Sequence, residues 1–453
     1  MHASKFGSTH SLRYSDYKAI AFVALGGTLE FYDFVIFVFF IETVGTLFFP
    51  ATISGWLRQI QSFGIFAAGY LTRPLGGVAI AHFGDLVGRR RTFLFSLSLM
   101  ALPTLAIGLL PTYDQIGLFA PVMLLVLRLM QGAAVGGEMP GAWVFVAEHV
   151  PSIRVGRACG IVGAGACAGL LLGSMAAWAV HRCLPPEEVL RYGWRLPFLL
   201  GGILGVATLY QRRKLHETPM FEALQRNPTS PRDVPLTTLA RHRPGHVLLL
   251  MSLSAVVATI FVVVVMMTPA LLQKQYSLPA VDIFAARCAA ILALVVGCVV
   301  AGSLVDRVGA RPTLTWGFLL IAASNYGLNV VAAHHPAWLL ALYLLTGFAL
   351  GTVGAMGAVF IRAFPPSVRC TGVSFSYNLP YALLGGVTPI CASFLSTLTP
   401  LGPAHYVAAA CAFGVLVAQT AAINDKSAGP RPALASHSGN QPDHDSPHPS
   451  PRT

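Results

Sequence analysis

The chain has 453 residues, of which 55% are hydrophobic and only 11% charged, with 30 Lys and Arg against 18 Asp and Glu. A soluble domain is roughly one-quarter charged, so this composition, with a mean hydropathy of +0.66, excludes a soluble globular protein, a disordered chain and, despite the +12 balance, a nucleic-acid-binding protein. What fits is an all-α polytopic membrane protein whose solvent is the lipid bilayer, with the basic excess gathered in the loops on one side.

In chain order, residues 1–18 are polar, lack a cleavable-signal pattern and are expected to form a cytoplasmic segment. Apolar runs between charged or Pro/Gly-rich breaks then predict twelve transmembrane helices. They lie at 19–40, 57–83, 92–111, 119–147, 157–180, 196–212, 246–272, 283–304, 313–333, 337–361, 371–395 and 404–423. The basic, Pro-rich stretch 213–245 is expected to be a cytoplasmic linker between a six-helix bundle at 19–212 and a second at 246–423. The tail 424–453, rich in Ser, Pro, His and Asp, cannot bury a core and is expected to be disordered and cytoplasmic. Of the Lys and Arg residues, 22 fall in one set of loops, Arg212 among them, and 5 in the other, while Arg73, Arg128 and Arg287 lie within spans. Both termini are therefore expected on the cytoplasmic side of an inner or plasma membrane.

A weak repeat supports the two halves. Ala81-x-x-x-Asp85-x-x-Gly88-Arg89-Arg90 follows the second run, and Gly302-x-x-x-Asp306-Arg307-x-Gly309-x-Arg311 follows the eighth. One loop chemistry at the second span of each half points to duplication and two pseudo-symmetric bundles. The Gly allows a tight turn. The Arg residues can pair with Asp85 or Asp306, or with helix C-termini, and so hold one conformation closed on the cytoplasmic side. Glu148, at the end of the fourth span, is placed to meet Arg89 or Arg90. The gating candidates are Asp85, Gly88, Arg89, Arg90, Glu148, Asp306, Arg307 and Arg311.

Charges inside the spans cost at least about 2.5–3.5 kcal/mol each on insertion scales and normally face a bundle interior or a wet cavity. Glu30 and Asp33 are three residues apart on one helix face, about 18–22 Å along the first helix. Two carboxylates in one low-dielectric patch repel each other, which suits the pair to take up and release a proton. Arg73, about 18 Å from Asp85 along its helix, can bind a substrate carboxylate or pair with Glu30 or Asp33, and Pro74 with Gly76-Gly77 predicts a local break there. Arg287, in the first turns of the eighth span, is read either as a buried charge or as snorkelling to the outer interface.

At this point the chain resembles the major facilitator superfamily, and within it the metabolite:proton symporters of organic acids, betaines and proline. The segments that carry the resemblance are Gly27-Thr28-Leu29-Glu30-Phe31-Tyr32-Asp33-Phe34, Arg73-Pro74-Leu75-Gly76, Arg128-Leu129-Met130-Gln131-Gly132 through Gly136-Gly137-Glu138, Trp194-Arg195-Leu196-Pro197-Phe198, Glu217-Thr218-Pro219 and Tyr377-Asn378. The resemblance implies a role for Arg128 in proton or substrate coupling. With Glu30 and Asp33 it completes the proton-coupling candidates. The substrate-binding candidates are Arg73, Arg128, Tyr32, Gln131, Tyr377 and Asn378. Leu86, Ala81 and Ala310 depart from the family's loop pattern, so the first joint is expected to be the looser, and the second to keep its Asp306–Arg307 pair.

The eight cysteines are scattered, with no CxxC and no Cys/His cluster, so neither disulfide nor metal site is expected. There is no Walker A loop, GxSxG or HExxH, which argues against an enzyme, ATP or any cofactor. The expected function is uptake of a small polar metabolite, foremost an organic acid anion, by proton symport and alternating access in a monomer. The alternatives are a proton-antiport exporter of the same fold, betaine or amino-acid uptake, and a membrane ligand sensor.

Overall fold

A computed structural model describes residues 14–213, 217–218, 244–276 and 280–420. Most of the expected linker, the whole tail and most of the N-terminal segment lie outside the described residues. The described chain is helical, and twelve of its helices are long and apolar enough to cross a membrane. They are α1 (Tyr14–Phe39), α2 (Gly55–Val87), α3 (Arg89–Leu109), α4 (Phe119–His149), α5 (Val155–Cys183) and α6 (Arg195–Arg212), then α7 (Pro244–Gln273), α8 (Ala280–Val308), α9 (Ala310–His334), α10 (Leu339–Ala363), α11 (Arg369–Leu398) and α12 (Gly402–Thr420).

The predicted Asp-x-x-Gly-Arg loops shrink to one residue each. α2 runs to Val87 and α3 begins at Arg89, joined by Gly88 at φ 122°; α8 and α9 are joined by Gly309 at φ 95°. Glycine alone adopts such φ values freely, and its single-residue turn fixes Asp85 and Asp306 within the last helical turns. The break predicted at Pro74 does not form: α2 passes through it unbroken, because a proline removes only one helical hydrogen bond and neighbouring helices support the rest. Irregularity falls elsewhere, at the π-helical Val189–Gly193 that leads into α6 and within two helices of the second half. Val262–Met267 of α7 form a π-helical turn, and α10 is interrupted at Gly351 and Thr352.

The pairing of helices repeats between the halves. In the first, α1 packs on α5, α2 on α4, and α3 on α6; in the second, α7 packs on α11, α8 on α10, and α9 on α12. Between the halves the main seams are α5 against α8 and α2 against α11, which the same symmetry interchanges. The architecture is two pseudo-symmetric six-helix bundles. Small residues set the close approaches: a side chain on Gly132 of α4 would strike Gly69 and Thr72 of α2. Leu75, Phe119, Trp316 and Ile390 are 71–75% exposed, a pattern that water penalises and hydrocarbon does not. The buried positions hold Glu30, Asp33, Arg73, Arg128, Glu138 and Arg212, each at most 5% exposed.

Candidate functional site

Residues i and i+3 lie only about 60° apart around a helix, yet that is enough to send Glu30 and Asp33 to different neighbours. They do not form the carboxylate pair expected of them; each meets its own arginine. Asp33 accepts hydrogen bonds from Thr104 Oγ1 of α3 (3.0 Å) and Gln131 Nε2 of α4 (2.8 Å), and lies 3.6 Å from Arg128 Nη1. Gln131 ties the unit together, since its Oε1 also accepts from Arg128 at 2.9 Å. The Arg128 guanidinium rests 4.0 Å from the centre of the Phe37 ring. Glu30 stands 3.9 Å from Arg73 Nη2, too far for a hydrogen bond, and its Oε2 is buried without a partner.

Arg73 reaches across to the second half. Its Nε donates to Asn378 Oδ1 of α11 at 2.8 Å, and Asn378 Nδ2 donates to the Gly136 carbonyl of α4 at 2.7 Å. The guanidinium sits among the rings of Tyr70, Tyr377 and Tyr381, at 5.7, 5.2 and 5.4 Å. A cavity of about 30 Å³ is lined by Glu30, Asp33, Tyr70, Arg73, Arg128 and Gln131. A second, of about 40 Å³, lies between the halves and adds Phe31, Phe261 and Tyr381. Thus Glu30, Asp33, Arg73, Arg128, Gln131, Tyr377 and Asn378 come together. Tyr32 does not: its hydroxyl donates to the Pro197 carbonyl at 3.0 Å, inside the packing of α1 on α6. Thr104, Tyr70 and Tyr381 join the site unforeseen; as single polar or aromatic residues in apolar runs they give no signal in the sequence.

At the end of the bundle that carries the Arg-rich turns, two joints cross between the halves. Asp85 is 2.8 Å from Arg89 Nη1 and accepts from Thr371 N and Oγ1 (2.9 and 2.8 Å) and Cys370 N (3.3 Å), in the first turn of α11. Asp306 accepts from Gly156 N and Arg157 N, both at 2.8 Å, in the first turn of α5. Each aspartate therefore caps a helix of the opposite half, where unpaired N–H groups and the helix dipole favour an anion. Glu148 joins the first joint through Arg89 (3.6 Å) and Arg369 (3.4 Å), and accepts from Thr218 Oγ1 at 2.7 Å.

The partners differ from expectation at several gating positions. The cation on Asp306 is Arg362 of α10, at 3.0 Å, not Arg307, which is exposed; adjacent residues on a helix point about 100° apart. Arg311 donates to Gln419 at 2.6 Å. Arg90 turns to the Arg213 carbonyl at 2.6 Å, and its backbone N–H, like that of Arg89, is capped by Glu217. The first joint, expected to be the looser, carries an aspartate, a glutamate and two arginines.

Arg212, assigned to a loop by its sequence position, is buried completely. It pairs with Glu138 at 2.7 Å and donates to the Phe22 and Val23 carbonyls of α1 at 3.0 and 2.9 Å. Ser96 Oγ donates to Glu138 at 2.8 Å. A side chain on Gly26 would collide with this pair, so the glycine makes the room for it.

A family model described as the Major Facilitator Superfamily matches residues 23–299. The chain is 32% identical to the citrate-proton symporter of Klebsiella pneumoniae, over 88% of this chain and 90% of that protein. It is 31% identical to the glycine betaine/proline/ectoine/pipecolic acid transporter OusA of Dickeya dadantii, over 88% and 82%. Among solved structures, the proton:xylose symporter XylE bound to 6-bromo-6-deoxy-D-glucose superposes with a TM-score of 0.73 over 89% of this chain and 94% of that one, at 17% identity.

Proposed function

The chain belongs to the major facilitator superfamily, and on that premise we propose that it carries an organic acid anion together with protons by alternating access. It is an integral, multi-pass membrane protein of a transporter family, not an enzyme. In the proposed orientation the Arg-rich face, both termini and the linker are cytoplasmic, and the two halves rock as bodies around the mid-membrane cavities.

The observation that carries the reading is the Asp33–Arg128 pair, closed at 3.6 Å and braced by Gln131. While Asp33 is charged, the charge of Arg128 is balanced and offers little to a second anion. A proton on Asp33 removes that charge and leaves Arg128 a buried, uncompensated cation, which a substrate carboxylate then neutralises. Anion and proton each favour the other's binding, which is the reciprocal coupling a symporter needs. Glu30 beside Arg73 is a second pair of the same kind, and Arg73, Gln131, Tyr377 and Asn378 complete the substrate surface. Asp85, Gly88, Arg89, Glu148, Asp306 and Arg362 hold the cytoplasmic face closed. The relative that is a citrate-proton symporter supports this reading.

A betaine reading has one observation in its favour. Three tyrosine rings face one point, the arrangement that holds a quaternary ammonium. Here Arg73 fills that point, which favours the anion.

The test is proton flux into proteoliposomes that enclose a pH-sensitive dye. Citrate or succinate added outside should acidify the lumen, and Asp33→Asn should lose uphill accumulation while keeping exchange of labelled substrate. Undiminished accumulation in Asp33→Asn sinks the assignment of Asp33. Acidification by glycine betaine or proline, with none from the acids, sinks the organic-anion reading.

A further inference from the structure

Three arginines deep in the first half each face a carboxylate: Arg73 at 3.9 Å, Arg128 at 3.6 Å and Arg212 at 2.7 Å. Arg287, about two turns into α8, does not. Among the described residues it has no ion pair, and its Nε is buried without a hydrogen-bond partner. The side chain is half-buried, and a guanidinium within a span that has no ion pair among the described residues is costly.

A second unsatisfied group stands with it. Tyr343 of α10 is 3% exposed, and its hydroxyl is buried without a partner. Both residues line a cavity of about 20 Å³ with Val264, Ala290, Thr346 and Gly347. That volume holds a water or the oxygens of a carboxylate, not a whole metabolite. Toward the first half, the Arg287 guanidinium lies 5.6 Å from the centre of the Phe39 ring. Arg128 lies 4.0 Å from the Phe37 ring, two residues earlier on α1. The end of α1 is thus flanked by one cation from each half. The Val262–Met267 π-helical turn of α7 separates the two regions: Val264 lines this cavity, and Val262 and Met266 line the one beside Arg73.

A guanidinium presents two parallel N–H groups and a phenol adds a third donor, a set that matches carboxylate oxygens. We propose that Arg287 and Tyr343 form a second anion subsite, in the C-terminal half, that takes one carboxylate of the transported metabolite. This deepens the organic-anion reading and rests on it. It also narrows the substrate class. Arg128 is freed for an anion only when Asp33 holds a proton, whereas Arg287 has no counter-charge among the described residues. A di- or tricarboxylate has a group for each cation; a betaine has only one.

The experiment is ligand-induced thermal stabilisation of the purified full-length protein by graded citrate, succinate and glycine betaine, in wild type, Arg287→Met and Tyr343→Phe. Citrate or succinate should stabilise the wild type. Arg287→Met should raise the half-maximal concentration roughly 10- to 100-fold and Tyr343→Phe about 3- to 10-fold. Without ligand, Arg287→Met should melt at or above the wild-type temperature, because it removes a half-buried charge that has no ion pair among the described residues. An unliganded Arg287→Met that melts several degrees lower makes Arg287 a structural residue and overturns the subsite. So do equal responses of wild type and Arg287→Met to citrate and succinate, and that result leaves the organic-anion reading intact. A wild type stabilised by glycine betaine alone, or by none of the three, overturns both.

Discussion

Glu138 and Arg212 bound what a buried charge can mean in this protein. They sit at 2.7 Å inside the first half, with Ser96 and two α1 carbonyls completing their hydrogen bonds, and neither lines the cavities beside Arg73. Removing one partner leaves the other as an uncompensated charge, at a cost of about 3–5 kcal/mol. Glu138→Gln should therefore lower the melting temperature of the detergent-solubilised protein sharply, and Glu138→Gln with Arg212→Met should recover most of the loss. Recovery is the informative half: a pair needed for transport would stay inactive after stability returned, whereas this one should transport. Tyr32 makes the converse point. Because its hydroxyl serves Pro197, Tyr32→Phe should cost about 1 kcal/mol of stability and leave the half-saturating substrate concentration within about twofold. A larger change would return Tyr32 to the substrate surface. The sequence displays the chemistry of all these residues but not their partners. Glu30 and Asp33 are legible as intramembrane acids, yet which arginine each meets depends on how α2 and α4 are rotated, which no spacing within α1 encodes. Arg212 reads as a loop residue because the charges that follow it mark a boundary, and only the packing of α1 and α4 over it reveals otherwise.

Helix by helix, the spans were legible to within a few residues, because an apolar run of the right length is a one-dimensional signal. The seams between them were not, because a glycine in an apolar run reads the same whether it touches lipid or another backbone. Two of them separate fold from motion. Gly132 packs α4 on α2 within one half, where any side chain meets Gly69 and Thr72; Gly302 packs α8 on α5 between the halves, where it would meet Gly156 and Gly160. The thiols of Cys167 and Cys298 lie 4.0 Å apart along that second seam. If the halves move as bodies, the first contact is permanent and the second is made and broken in each cycle. Gly132→Val should destabilise the protein by an amount typical of core overpacking, about 1–3 kcal/mol or more. Gly302→Val should melt close to wild type and yet lose transport, because it forbids the closed Arg-rich face rather than the fold. Matched loss of stability in both variants would refute the distinction.

For the molecule as a whole, the proposed closure of the Arg-rich face rests on two joints that the pseudo-symmetry makes equivalent, α2 on α11 through Asp85 and α8 on α5 through Asp306. Two rigid halves cannot open one joint and keep the other, so weakening either must expose both. Cys370 is a natural reporter: it sits in the first joint, 5% exposed, with its backbone N–H on Asp85. Asp306→Asn removes the charge that caps α5 and pairs with Arg362, on the far joint, without touching Cys370. Charge-assisted hydrogen bonds contribute about 1.5–3 kcal/mol each, so loss of one should raise the open population roughly 10- to 100-fold where the closed state dominates. In a variant whose only cysteine is Cys370, maleimide labelling should accelerate accordingly on adding Asp306→Asn, and citrate should alter the rate only if it binds one face of the cycle better than the other. Labelling unchanged by Asp306→Asn would mean that the joints open independently, and that the helices flex one at a time instead of the halves rocking together.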